Sequence, residues 1–167
     1  MLIVITRDPD VIRWANLPIS GAMAWGRLKI LSAGSQEQAT AQMKQYLKLV
    51  DRNEPLCITG HGNDYEVGDE GSGPDDWSWS NDEMAELLSG LVNGYKGPIL
   101  MEVCSNSVTD FSANLVVSLE KLKALALVWI YGYNKGVGIT HPFPKPANLT
   151  KNIELTGKQV VFEHAIS

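Results

Sequence analysis

The strongest constraint on this 167-residue chain is the order in which short apolar runs and amphipathic stripes take turns along it. Residues 2–5 and 28–31 are short runs with Gly, Pro or charged neighbours, as strands have. Ala39, Met43, Tyr46, Leu47 and Val50 fall on one helical stripe, which Glu54-Pro55 ends because proline cannot continue the ladder. Leu56-Cys57-Ile58-Thr59 is apolar without alternation, the pattern of a strand covered on both faces. Ser80-Asn81-Asp82-Glu83 reads as a capping box, opening a helix with its stripe at Met84, Leu87, Leu88, Leu91 and Val92. Ile99-Leu100-Met101-Glu102-Val103 is a further strand, Phe111, Leu115, Leu119 and Leu122 a third stripe, and residues 125–131 another strand. Pro142, Pro144 and Pro146 then mark loop, and Thr156-Gly157 between two apolar runs reads as a hairpin turn. Strands alternating with helices predict right-handed crossovers and an α/β fold: a three-layer sandwich, its mainly parallel sheet flanked by helices. No repeat, low-complexity tract or long linker divides the chain, so residues 1–167 are expected to form a single domain.

Charge narrows the choice of partner. Nineteen acids against fourteen Lys and Arg give a net charge of −5, without the basic face that binding a nucleic-acid backbone demands. No apolar run approaches the roughly 18 residues needed to cross a bilayer, so no membrane partner is expected. The apolar start is too short for a signal peptide and lacks a basic flank, which predicts a cytoplasmic protein, delivery as an effector remaining open. Residues 63–80 hold six acids, four Gly or Pro and no base, and are expected to be a long exposed loop. That loop is either simply solvated, a flap preferring basic substrates, or a weak calcium site. Trp77 and Trp79 either close over a substrate or anchor the following helix.

Reactive side chains stand where such a sheet collects them, beyond the carboxyl ends of its strands. His61 leaves the strand 56–59 and Cys104 leaves the strand 99–103, with one helix between, so both should emerge at one edge. Two cysteines are too few for a disulfide framework, which leaves them available for chemistry. A thiolate is the attacking species, and a nearby imidazole takes and returns its proton at neutral pH. The start of the helix after Cys104 favours a thiolate, and the N–H groups of Gly62 and Cys104 are candidate donors to a developing oxyanion. The expected reaction is acyl transfer to Cys104 followed by hydrolysis, on a peptide or protein substrate and with no cofactor. Cys57, in mid-strand, reads as core packing; zinc on Cys57, His61 and Cys104 would require a fourth ligand. His141 and His164 read as surface or structural residues.

A strand ending in His-Gly, a variable loop and helix, and a second apolar strand ending in Cys resemble the caspase-like cysteine peptidases. That group includes caspases, legumains, clostripain and gingipains, separases and the self-processing domains of large bacterial toxins. The resemblance rests on Leu56-Cys57-Ile58-Thr59-Gly60-His61-Gly62 and Pro98-Ile99-Leu100-Met101-Glu102-Val103-Cys104-Ser105, and covers about residues 54–131. His61 and Cys104 stand 43 positions apart, against about 50 in the caspase signature. Gln-Ala-Cys-x-Gly is not matched by Glu102-Val103-Cys104-Ser105-Asn106, so a caspase preference for aspartate is not carried over; the Cys-Ser continuation looks more like the toxin domains. The resemblance implies a cysteine endopeptidase with a Cys104 and His61 dyad. Trp77, Trp79, Trp129, Tyr131 and Tyr133 are the candidate substrate contacts. The alternatives are a catalytically silent binding module of the same fold and a metal-binding or thiol-regulatory domain.

Overall fold

The computed structural model describes residues 1–69, 73–103, 111–133, 138 and 140–149, with the backbone of three short strands between 154 and 165. Cys104 lies outside the described residues, as do Thr156-Gly157.

The main sheet takes, in chain order, β1 (Leu2–Val4), β2 (Leu28–Ile30) at its edge, β3 (Leu56–Thr59) and, after a small side sheet, β7 (Ile99–Glu102). Three further strands form the side sheet: β4 (His61–Gly62), β5 (Glu66–Gly68) and β6 (Ser78–Ser80). Strand β8 (Trp129–Tyr131) extends the main sheet, and β11 (His164–Ala165) closes it in the order β11-β8-β7-β3-β1-β2. Five of the six strands are parallel and β11 runs antiparallel to β8. β9 (Glu154–Leu155) and β10 (Lys158–Gln159) pair antiparallel, Leu155 opposite Lys158, on either side of the expected turn.

Helices cover both faces of the sheet, as the continuous apolar runs of β1, β3 and β7 require. Helix α1 (Pro9–Asn16) lies on one face and buries Val11 and Ala15 against Leu2, Val4, Cys57 and Leu100. Helices α2 (Gln36–Lys48), α3 (Asn81–Leu88) and α4 (Phe111–Leu122) lie on the other, where Met43, Leu47, Met84, Leu88, Leu115 and Leu119 pack on Ile3, Ile58 and Met101. Successive residues of each strand therefore serve opposite layers. The capping box is formed: the Ser80 hydroxyl accepts from the Glu83 amide at 3.2 Å, and the Glu83 carboxylate accepts from the Ser80 amide at 2.8 Å. No helix among the described residues is long and apolar enough to cross a membrane.

Three departures from the expected elements have local causes. Helix α1 stands where no element is expected from the sequence, because Asp8 caps it and Pro9 starts it with a preset φ. The strand expected over 125–131 is only three residues long, since Lys123, Leu125 and Leu127 have positive φ, which extended backbone does not admit. Within 63–80, β5 and β6 replace the exposed loop, and Asp64, Val67, Asp69, Trp77 and Trp79 are buried. Gly68 lets this side sheet close: a Cβ there would stand 2.1 Å from the Trp77 carbonyl oxygen.

At the opposite end of the sheet Arg27, before β2, donates to Glu54, before β3, at 2.6 Å, bridging the two neighbours of β1. Burial by itself would raise the Glu54 pKa; the Arg27 hydrogen bond and the Asp51 amide outweigh it and hold the value at about 2. A depressed carboxylate stabilises the fold above its ordinary pKa and loses that contribution as pH falls through the folded value. Chemical denaturation should therefore show a contribution on the order of 1 kcal/mol, after screening of the half-exposed Arg27, that fades between about pH 4.5 and 2 and is absent in Glu54→Gln.

Candidate active site

Three adjacent strands deliver the site. Val4 pairs with Thr59 and Thr59 with Glu102, so β1, β3 and β7 end level with one another. His61 follows Thr59 by two residues, and Cys104 follows Glu102 by two in the sequence. From β1 the chain proceeds to β2 by α1 on one face; from β3 it proceeds to β7 and β8 by α3 and α4 on the other. Strand order thus reverses between β1 and β3, the place where open α/β sheets form their ligand crevice.

His61 is held on two sides. Its backbone pairs with Gly68 of β5, and its Nε2 lies 2.8 Å from Oδ2 of Asp8, in the loop after β1. Both side chains are about a quarter exposed, at 22% and 28%. Asp8 divides its oxygens: Oδ1 accepts from the Asp10 amide at 2.8 Å, which caps α1, and Oδ2 faces the imidazole. Burial tends to raise the Asp8 pKa, but the His61 hydrogen bond and the Asp10 and Val11 amides outweigh it and leave the value below normal. Asp8 is therefore ionised at neutral pH and only accepts, so Nε2 of His61 carries the hydrogen between them.

The loop bearing Asp8 is fastened to the side sheet. Asp69, 6% exposed, accepts from the Thr6 hydroxyl at 3.2 Å, the Arg7 amide at 2.5 Å and Arg7 Nε at 2.6 Å, and forms an ion pair with Arg7 Nη2. The Thr6 hydroxyl in turn accepts from the Asp8 amide at 3.0 Å. Burial acts to raise the Asp69 pKa, yet the bonds from Arg7 leave it below the ordinary range. The Arg7 guanidinium also lies over Trp77, 4.5 Å from its ring centre.

Gly62 occupies an outer strand of the side sheet, opposite Val67. The Asn63 N–H donates to the Glu66 carbonyl at 2.9 Å, and bonded and non-bonded pairs alternate along an antiparallel ladder. The Gly62 N–H accordingly points away from β5, as an oxyanion donor must. Its lack of a side chain serves the pairing: a Cβ would meet the Glu66 oxygen and Val67 Cγ1, each at 2.9 Å.

The other sequence candidates are dispersed. Trp77 and Trp79 are core residues, 1% and 2% exposed; their indole N–H groups donate to the Ile5 carbonyl at 2.8 Å and the Thr40 hydroxyl at 3.0 Å. They are anchors and do not face a substrate. Trp129 begins β8, at the far end of the sheet, and Tyr131 packs in the α1 layer. Tyr133 reaches the rim but is buried, and burial together with the adjacent Glu102 carboxylate raises its phenol pKa. His141 is buried against it, edge to face with ring centres 5.7 Å apart. Cys57 is fully buried in mid-strand, and burial raises its thiol pKa well above normal.

Asp8 is the residue the sequence reading missed. Its signal was present, since Asp-Pro ahead of apolar residues spaced by four is a helix start.

No family model matches the chain, and no curated protein sequence matches it significantly.

Asp69→Asn removes the charge that holds Thr6 and Arg7 in place. Urea denaturation should show a loss of about 1–3 kcal/mol, the size expected for hydrogen bonds to a buried charged group.

Proposed function

We propose that the chain is a cysteine endopeptidase of caspase-like architecture, with Cys104 as nucleophile and His61 as general acid and base. The observation that carries this reading is the register Val4–Thr59–Glu102, which brings the exits of β3 and β7 side by side at the crevice of the parallel sheet. The buried, high-pKa Cys57 supports it too, because it leaves Cys104 as the thiol suited to reaction at neutral pH.

In the proposed cycle the imidazole takes the Cys104 proton, and the sulfur forms a bond to the carbonyl carbon of the scissile peptide. The oxyanion accepts from the Gly62 and Cys104 amides. The carbon–nitrogen bond then breaks, and the imidazolium gives its proton to the departing amine. Water attacks the thioester, the imidazole takes a proton from it, and that proton returns to the sulfur as the acid leaves. Atoms balance with water as the sole co-reactant. The fold, without transmembrane helices among its described residues, suits a cytoplasmic setting with a peptide or protein as partner.

The test is selective alkylation joined to cleavage profiling. Iodoacetamide on the native chain should modify Cys104 and leave Cys57 untouched until the chain is unfolded, with Cys104 labelling slowed at least about tenfold in His61→Ala, the thiolate no longer being assisted. A peptide library should be cleaved by the native chain and not by Cys104→Ala. Labelling of Cys104 without any cleavage would favour the silent binding module, and stoichiometric zinc in the purified protein would favour the metal-binding alternative.

A further inference from the structure

At the far end of the sheet from the crevice, the connection from α3 to β7 carries a reactive pair. Leu91 and Tyr95 are buried, and Val92, Asn93 and Gly94 between them are exposed. The Tyr95 N–H donates to the Val92 carbonyl at 3.0 Å, closing a turn whose third residue, Gly94, has a φ of 74°. Glycine takes that conformation without strain. Among the described residues neither the Asn93 side-chain amide nor the Gly94 N–H has a hydrogen bond. The other asparagines are placed differently. Asn16, Asn63, Asn81 and Asn114 have side chains engaged by Ile12, by the Tyr65 and Glu66 amides, by Phe111 and by Asp64. Asn53 and Asn148 precede Glu54 and Leu149, whose side chains crowd the following nitrogen, and Asn93-Gly94 is the one Asn-Gly pair in the sequence.

We propose that Asn93 is a site of spontaneous modification, at which the Gly94 nitrogen closes on the Asn93 side-chain carbonyl carbon and converts the residue to aspartate or isoaspartate. The Gly94 nitrogen forms a bond to Cγ, the Cγ–Nδ2 bond breaks, and the Gly94 amide proton leaves with the departing ammonia. The resulting five-membered imide takes up one water. Opening at the side-chain carbonyl gives aspartate; opening at the main-chain carbonyl gives isoaspartate, in which the chain runs through the side chain. Water is the sole co-reactant. The reacting groups are neighbours in the chain, so closure costs little orientation. Beyond its chain neighbours, a Cβ on Gly94 would meet nothing nearer than Arg52 Nε at 3.8 Å, so the approach is open.

The two products act differently on the fold. Asn93 lines a cavity of about 430 Å³ between the C-terminal ends of α3 and α4, together with Ser89, Tyr95, Leu122 and Lys123. A carboxylate there meets the negative ends of two helices, with Lys123 of the same lining to offset it. Isoaspartate lengthens the main chain inside the turn that the Val92–Tyr95 bond closes. Tyr95 ties this turn to the entry of β3: its hydroxyl donates to the Glu54 carbonyl at 2.5 Å, and the next residue, Lys96, donates its N–H to the Arg52 carbonyl at 2.8 Å. The isoaspartate product therefore loosens the joint from which β7 starts, and the aspartate product leaves it closed.

The native chain, held at neutral pH and physiological temperature and then mapped by mass spectrometry, should exchange ammonia for water at Asn93 at least about tenfold faster than at the other described asparagines. Isoaspartate methyltransferase should label the aged native chain and not aged Asn93→Gln, whose closure needs a six-membered ring. The labelled chain should melt about 2–4 °C lower, the shift for one lost backbone hydrogen bond at this chain length. Asn93→Asp, which carries the charge on an unaltered backbone, should melt within about 2 °C of the fresh native chain. An Asn93 that stays intact in the native chain while it converts in urea would overturn the proposal, because the fold would then hold the turn away from ring closure. An equal drop in melting temperature in aged Asn93→Gln, or in fresh Asn93→Asp, would overturn the assignment of the loosened joint to isoaspartate.

Discussion

The parallel pairing of β1 with β3 is the constraint from which the rest of the molecule follows. Both strands are fully buried, and both contribute alternate residues to the two core layers. A parallel pair cannot be closed by a turn, so each connection must pass over a face of the sheet. Here the connection out of β1 takes one face and the later connections take the other, which sets the reversal of strand order between them. Loops leaving β1 and β3 consequently diverge over opposite layers and leave a crevice at their root. Asp8 and His61 meet across it, beside the contacts of Thr6 and Arg7 with Asp69.

Carboxylates at this rim do different work because their surroundings differ. Asp69 is enclosed, and its charge is matched by Arg7 and by donors from Thr6 and the Arg7 backbone. It is a fastening, binding the side sheet to the exit of β1. Asp8 is more open and shares its charge between an amide and an imidazole. Glu102 is buried beneath the rim at the end of β7, close to the Tyr133 phenol, whose ionisation it opposes. Asp8 and Glu102 lie at or just beyond the carboxyl ends of the parallel strands β1 and β7, whereas Asp69 follows the antiparallel strand β5.

What was legible in the sequence followed from local chemistry. The apolar runs of β1, β3 and β7, the stripes of α2, α3 and α4 and the Ser80–Glu83 capping box each declare themselves within a dozen residues. So does the delivery of His61 to the end of β3. What was not legible depends on contacts made across the chain. β5 and β6 are three residues each, set among glycines and acids, and exist because Gly68 admits the Trp77 carbonyl and because Trp77 and Trp79 find partners in Ile5, just after β1, and in α2. Indole burial behind β1 turns an acidic stretch, read as solvated loop, into structure. Positive φ at Lys123, Leu125 and Leu127 cuts a strand that composition alone would extend. Helix α1 is too short for its stripe to stand out, having two buried residues. The site was half legible: His61 was placed correctly at a strand end, Asp8 was overlooked, and Cys104 lies outside the described residues.

A strand end fixes the Cα of a residue but not its side chain. Thr59 is the last residue of β3, and His61 lies two positions beyond it, where the main sheet no longer constrains the backbone. Ordering a histidine ring costs on the order of 1 kcal/mol in lost rotamer freedom, so an unassisted imidazole there would sample several orientations. Two tethers remove that freedom: pairing with Gly68 sets the backbone, and Asp8 sets the ring. Both tethers run through Asp69, which follows Gly68 along the side sheet and holds the loop before Asp8. The small antiparallel sheet, which a reading by composition assigns to solvent, is therefore the part of the fold that turns a histidine at a strand end into an oriented one.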